Sequence, residues 1–128
     1  MHDFSLKKRE RLSGKKSISA LFESGRNIRV FPLRIVYREI ESGSCPASVA
    51  ISVPKRLIKK AVDRNLLKRR IREAYRLNKP DFYTKLSGLD KKVHMIILFQ
   101  QSTIVDYKSM EQALIKGLND LVLKLKMK

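Results

Sequence analysis

The sequence has few of the residues that build disulfides and metal sites. Its 128 residues include one cysteine, Cys45, and two histidines, His2 and His94. A single cysteine cannot form an internal disulfide, and two histidines so far apart lack the spacing of a zinc site. The sequence therefore identifies no metal site on the protein itself. A lone cysteine is also typical of proteins from a reducing cytoplasm.

Long apolar runs are absent as well. No run approaches the roughly 20 residues that are needed to cross a bilayer. Residues 1–16 are too polar for a secretory signal, and their basic composition predicts a loose N-terminal arm. We expect a cytoplasmic protein with a single domain over residues 1–128.

Acidic residues are scarce: 12 Asp and Glu stand against 29 Lys and Arg, a net charge of +17. So high a charge favours a polyanionic partner, and nucleic acid leads because binding phosphates releases counterions. A membrane surface would require a basic amphipathic helix with exposed apolar anchors. The few carboxylates form no cluster suited to a two-metal nuclease, and neither histidine has an evident acid–base partner. The sequence therefore predicts no catalytic residue.

Three segments have the 3.6-residue periodicity of helices with one apolar face. They span residues 17–24, 61–78 and 107–125. Ser17 can cap the first helix and Gly25 can end it, while Pro80 lies just beyond the second. Residues 81–92 then form a polar connection.

The other apolar segments alternate like strands or are continuously apolar. The predicted strands span residues 26–30, 33–40, 47–53 and 93–99. We expect 33–40 and 47–53 to pair antiparallel through the turn at 41–46, and the apolar strand 93–99 to be central. The order α-β-β-β-α-β-α predicts an α+β fold, an α/β sandwich of three helices on a small mixed sheet of about four strands.

The segment from residue 55 to residue 76 concentrates the positive charge, with ten basic and two acidic residues and a local net charge of +8. Like charges at helical spacing repel by about 0.2–0.5 kcal/mol per pair. An almost unmixed cationic helix face is therefore better explained by bound phosphates than by solvation alone. We call this set the basic stripe: Lys55, Arg56, Arg64, Asn65, Lys68, Arg69, Arg70, Arg72 and Arg76.

The basic stripe resembles the signature of a known family. Its pattern RN-x-x-KRR-x-RE, beginning at Arg64, is similar to the RNR motif of the bacterial ribonuclease P protein family. The preceding strand and turn, VAISVPKR, are similar to the family's V-x-x-S-V-x-K-K segment. The resemblance extends to ERL and ALFESGR near the N-terminus and covers most of residues 9–80. Leu66 stands where the family usually has arginine, and Ile18 where it commonly has an aromatic residue.

The resemblance implies the RNA-binding subunit of a ribonucleoprotein endonuclease. In that family a catalytic RNA and its Mg²⁺ ions remove the 5′ leader from precursor tRNA, and the protein alone has no activity. The resemblance also implies a left-handed βαβ crossover, a basic helix that binds the catalytic RNA, and a cleft that binds the leader. The protein then acts by binding the leader and shielding phosphate charge, with no membrane or small-molecule substrate.

Helix and strand spacing supply candidates for the leader cleft. Phe22 can stack on a base beside Ile18, or it packs in the core. The small residues on the strand face opposite the core let a nucleotide chain approach, unless the first helix alone covers that face. The candidates are Ile18, Phe22, Arg34, Val36, Ser48, Ala50 and Ser52.

Three competing functions are compatible with the charge. A ribosomal or ribosome-assembly protein would share it, but not the RNR-like helix after the S-V-P-K-R segment. A DNA-binding regulator would need a helix-turn-helix, and no short second helix precedes residues 61–78. An autonomous nuclease would cleave precursor tRNA without an RNA subunit.

Overall fold

One mixed sheet with helices on both faces forms the structure, a computed structural model that describes residues 7–43 and 45–127. The elements are α1 (Lys15–Ser24), β1 (Arg26–Val30), β2 (Leu33–Ile40), β3 (Ala47–Ser52), α2 (Ala61–Gly88), β4 (Lys92–Phe99) and α3 (Tyr107–Lys126). The predicted α+β sandwich of three helices and four strands, in the order α-β-β-β-α-β-α, is confirmed. Ser17 is not the cap of α1, because this helix begins at Lys15, after Gly14 with a φ of 97°.

The sheet has the order β1-β2-β4-β3. The expected antiparallel pairing of β2 with β3 is wrong: β4 lies between them, antiparallel to β2 and parallel to β3. The central position predicted for β4 is confirmed, and it suits a strand whose apolar residues are buried on both faces. The helix α2 connects the parallel strands β3 and β4, and the left-handedness implied for this crossover stays a prediction.

The larger core lies between one face of the sheet and the helices α2 and α3. The apolar seam of α3 is buried as predicted, through Met110, Leu114, Leu118, Leu121 and Leu125. Gly117 lets this helix approach β2, because a Cβ there would lie 2.7 Å from Cδ1 of Ile35. On α2 the predicted docking residues Leu67, Ile71, Ala74 and Tyr75 are buried, and Asn78 is half-buried.

The helix α2 is longer than the sequence predicts. It does not end at Asn78 but continues to Gly88 with Pro80 inside it, so the polar connection shrinks to residues 89–91. Proline removes one backbone hydrogen bond from a helix interior. Burial of Phe82 and Leu86 against the core offsets that loss.

The other face of the sheet is covered in part by α1. Leu21 of this helix packs on Val36, Ile96 and Leu98, with Leu12 at the margin. The chain before α1 is docked as well: the Leu12 amide donates to the carbonyl of Val49 (2.9 Å). The loose arm expected over residues 1–16 is therefore wrong from residue 7 onward, and residues 1–6 lie outside the described part.

Within the described residues, no helix is long and apolar enough to span a bilayer. The same residues contain no group of three or more histidine, cysteine, aspartate or glutamate side chains placed to hold a metal ion.

Candidate nucleic-acid interface

The basic stripe lies on the loop before α2 and on the solvent face of that helix. Leu67 and Ile71 anchor the opposite face of α2 in the core, so stripe residues such as Arg69 and Arg72 point toward solvent. Six of the predicted residues form this open surface: Lys55, Arg56, Asn65, Lys68, Arg69 and Arg72. Lys68 is half-buried and the other five are exposed.

Arg64 instead holds the loop onto the start of α2. Its Nη1 donates to the carbonyls of Ile58 (3.0 Å) and Lys59 (2.8 Å). The N-cap residue Lys60 makes no side-chain capping bond, so Arg64 is what fixes the path of the chain into the helix. Arg64 therefore positions the neighbouring lysines in addition to any contact with a partner.

Arg70 and Arg76 are also engaged by acceptors of the protein. Nη1 of Arg70 donates to the carbonyl of Val105 (2.7 Å), which ties α2 to the loop before α3. Arg76 forms a two-bond pair with the carboxylate of Glu73 (3.1 and 2.5 Å). The hydrogen bond from Arg76 holds the pKa of Glu73 below its usual value.

Solvent exposure in α1 decides whether Phe22 packs in the core or is free to stack on a base. Its side chain is 52% exposed, whereas the adjacent Leu21 is fully buried. The core-packing alternative for Phe22 is therefore wrong. Ile18 is half-buried one turn earlier, so the two residues are neighbours on one side of α1.

The sheet face beneath α1 is only partly covered. Val36 is 2% exposed under Leu21, so its predicted place in an open cleft is wrong: it belongs to the contact between α1 and the sheet. Arg34 is half-buried and donates to Oδ1 of Asn27 (2.7 Å). Cover by α1 alone is also wrong, because Ser48 donates to the carbonyl of Arg9 (2.9 Å) in the N-terminal segment.

The cleft that remains open lies along β3, where the predicted small residues Ser48, Ala50 and Ser52 are half-buried. Arg11, Leu12, Ala50 and Arg72 line one hollow there. Arg72 also belongs to the basic stripe, so the cleft and the stripe are one continuous surface. Arg11 is a cleft residue that the sequence does not predict, because a loose arm is expected over residues 1–16. The ERL segment of the family resemblance was the signal that could have identified it.

A buried ion pair fixes the segment that carries Arg11. Glu10 and Lys79 are both buried, with 3.0 Å between Oε2 and Nζ, and the Tyr83 hydroxyl donates to Oε2 (2.6 Å). Burial raises the pKa of Glu10, and the hydrogen bond from Tyr83 lowers it. The Lys7 amide and the Lys79 ammonium lower it further, so the pKa of this carboxyl lies below its usual value.

A small α/β sandwich with a cationic helix that borders a cleft, and with an exposed aromatic side chain on another helix, has the features of an RNA-binding protein. Comparisons with known proteins specify which kind. The family model for Ribonuclease P matches residues 6–122. The ribonuclease P protein component of Porphyromonas gingivalis is 36% identical over 118 residues, which cover 90% of this chain and 85% of that relative. The chain therefore belongs to the ribonuclease P protein family, the protein subunits of a ribonucleoprotein endoribonuclease.

A more distant relative and two solved structures agree. The ribonuclease P protein component of Chlorobium phaeobacteroides is 28% identical over 94% of this chain and 90% of its own length. The RNase P protein of Staphylococcus aureus has a TM-score of 0.74 at 19% identity, covering 89% of this chain and 96% of that one. The RNase P protein of Thermotoga maritima has a TM-score of 0.68 at 24% identity. The match covers 88% of this chain and 97% of that one. These structures are similar to this chain in fold.

Proposed function

We propose that this protein binds the catalytic RNA of ribonuclease P through its basic stripe and the 5′ leader of precursor tRNA along β3. The observation that carries the proposal is the position of Arg72, which belongs to the stripe and also lines the β3 cleft. One continuous cationic surface can therefore contact two RNAs at once.

The open part of the basic stripe suits a phosphate backbone. Arg69 and Arg72 are exposed one turn apart, and each guanidinium can donate two parallel bonds to phosphate oxygens. The rigid support behind them favours such contacts, because α2 is held at its start by Arg64 and at mid-length by Arg70.

The β3 cleft suits a single strand. Phe22 offers an exposed ring on which a base can stack, and Arg11 offers a cation for the backbone. Half-buried Ala50 and Ser52 leave room for a nucleotide chain to approach the sheet. In the proposed complex these groups hold the leader and leave mature tRNA largely untouched.

Cleavage itself is assigned to the RNA subunit and its Mg²⁺ ions in this proposal. Among residues 7–43 and 45–127, no carboxylate cluster of the kind that holds two catalytic metal ions is present. The protein contributes binding and charge shielding. Its work in the cytoplasm, expected from a lone cysteine, stays a prediction.

The test is cleavage of a precursor tRNA by the protein, by ribonuclease P RNA from the same organism, and by both together. We expect no cleavage by the protein alone and faster cleavage by the mixture than by the RNA alone at low Mg²⁺. A ribosomal protein would give no such acceleration. Cleavage by the protein alone, lost in a basic-stripe variant, would identify an autonomous nuclease and contradict the proposal.

A further inference from the structure

The turn between β1 and β2 exposes an aromatic side chain that the proposed function does not use. Phe31 is 72% exposed, the most exposed aromatic among the described residues. Single exposed apolar side chains are common on protein surfaces, so the surroundings of Phe31 decide whether its ring has a role. Its exposed ring offers a flat face on which a ligand can stack.

A hollow of about 610 Å³ lies beside Phe31, between the turn and α3. Val30, Pro32 and Ala113 give it apolar surface, and Arg29 and Lys116 bring two exposed cations to it. None of the nine residues that line it is acidic. A hollow with apolar and polar surface, an exposed ring and two cations is complementary to a nucleotide, which has a flat base and a phosphate.

The position of this hollow, which we call the Phe31 hollow, selects one RNA over the other. Val105 lines it, and the carbonyl of Val105 accepts the hydrogen bond from Arg70 of the basic stripe. Val30 belongs to the core cluster under α2 and α3, whereas the β3 cleft opens on the side of the sheet that carries α1. The Phe31 hollow therefore lies on the side of the sheet that carries α2 and is linked to that helix through Arg70, which favours the RNA that α2 binds as its ligand.

We propose that the Phe31 hollow binds one unpaired nucleotide of the catalytic RNA. The base stacks on the Phe31 ring, and the phosphate lies between Arg29 and Lys116. Gln112 also lines the hollow, and its side-chain amide can hydrogen-bond an edge of the base. This inference rests on the proposed function, to which it adds a second anchor for the catalytic RNA outside the RNR-like helix.

The experiment measures the Kd of ribonuclease P RNA for the protein at several salt concentrations, with the variants Phe31→Ala, Phe31→Tyr and Lys116→Gln. We expect Phe31→Ala to weaken binding about tenfold and Phe31→Tyr to retain it, because a stacked base contributes to affinity through the ring. The slope of log K against log salt should not change in Phe31→Ala. In Lys116→Gln its magnitude should fall by about 0.7, the value for one single-strand phosphate.

A matched control is Leu123→Ala, which removes another exposed apolar side chain, 56% exposed, from the outer surface of α3. Equal affinities of Phe31→Ala, Leu123→Ala and the unaltered protein would overturn the inference. So would a loss confined to precursor tRNA binding by the assembled ribonucleoprotein, which would assign the hollow to the substrate. If the unaltered protein fails to bind the RNA, the proposed function fails with it. Unfolding of Phe31→Ala would be detected by its melting temperature, and Lys116→Gln then decides alone.

Discussion

Leu21 and Phe22 are adjacent in α1 but have opposite environments. Leu21 is buried against Val36 of β2, whereas the ring of Phe22 projects from the protein. Periodicity alone left Phe22 between these two roles, because a short helix of ten residues has room for either residue on its apolar face. The position of the sheet decides between them.

Replacing Phe22 by alanine should mainly weaken the binding of precursor tRNA by the assembled ribonucleoprotein. Base stacking on an aromatic ring contributes about 1–3 kcal/mol. Mature tRNA lacks the leader, so its binding should change little. Binding of the two RNAs, measured side by side, checks this. The control Leu21→Ala should instead destabilise the fold by about 2–5 kcal/mol. Equal losses for both RNAs in Phe22→Ala would contradict leader stacking.

Glu10 is a second residue whose role only the structure reveals. It stands in a segment with many basic residues, yet it is buried against Lys79 and Tyr83 of α2. Removing one partner of a buried ion pair costs about 3–5 kcal/mol, because the other charge is left buried. Glu10→Gln should therefore destabilise the fold by roughly that amount at pH 7, as measured by urea unfolding.

The same pair predicts how stability varies with pH. The pKa of Glu10 is lower in the folded protein than in the unfolded chain, so its contribution is complete above the unfolded value of about 4.3. It is lost as the pH falls through the folded-state pKa. The stability gap between the unaltered protein and Glu10→Gln should therefore shrink as the pH falls from about 4.3 to the folded-state pKa. A parallel series with Glu73→Gln, whose ion pair is exposed, should show a much smaller gap at every pH. A gap that persists unchanged at pH 2 would contradict this role.

At the scale of elements, most helices and strands follow from local pattern. The strand 26–30 and the seam of α3 are predictable from a simple periodicity, and the central strand is predictable from its continuous apolar run. The end of α2 could not be predicted in this way, because proline is ordinarily a stop signal for a helix. Here the packing of Phe82 and Leu86 outweighs the effect of Pro80. Tyr75, Phe82 and Leu86 are separated by seven and four residues, and this helical spacing was the sequence signal that α2 continues past Pro80.

Strand pairing depends on information that no local pattern contains. A turn of six residues favours a hairpin of β2 with β3, but each strand gains more by pairing with the apolar β4. In the candidate site, too, some features follow from local pattern and others depend on the fold. The exposed side chains of the basic stripe were predictable from helical spacing, whereas the acceptors of Arg64 and Arg70 lie in other segments of the fold.

The helix α2 should retain its fold but lose RNA affinity when Arg69 and Arg72 are both replaced by alanine. Both side chains are exposed on the face away from Leu67, so the core is untouched. Each lost phosphate contact should lower the magnitude of the salt slope by roughly 0.9 on a duplex-like site. Titration of ribonuclease P RNA at several salt concentrations checks this. Lys85→Ala, a basic residue farther along the same helix, is the control. An unchanged slope in the double variant would show that the stripe faces solvent in the complex.

At the scale of the whole molecule, the net charge of +17 predicts how activity depends on Mg²⁺. Catalytic RNA and precursor tRNA repel each other, and divalent ions must offset that repulsion. A strongly cationic protein between them replaces part of this screening with fixed charges. The protein should therefore lower the Mg²⁺ concentration that cleavage requires.

Cleavage rates against Mg²⁺ concentration, with and without the protein, test this effect. The RNA alone should approach the rate of the ribonucleoprotein at high Mg²⁺ and fall far behind it at low Mg²⁺. Two curves with a constant ratio at every concentration would show that screening is not the role of the protein. Binding of the leader would then have to account for its effect.

The order of the strands also has a consequence for biosynthesis. In the sheet, β2 and β3 each pair with β4 and not with each other, and β4 leaves the ribosome after all of α2. Until then the growing chain carries the completed basic stripe, with Leu67 and Ile71 lacking the strand that completes their sheet. Such a chain emerges beside ribosomal RNA, another polyanion that attracts it without regard to sequence. Synthesis of β4 and α3 thus turns a cationic segment that binds polyanions without selection into a folded surface with a defined shape for RNA.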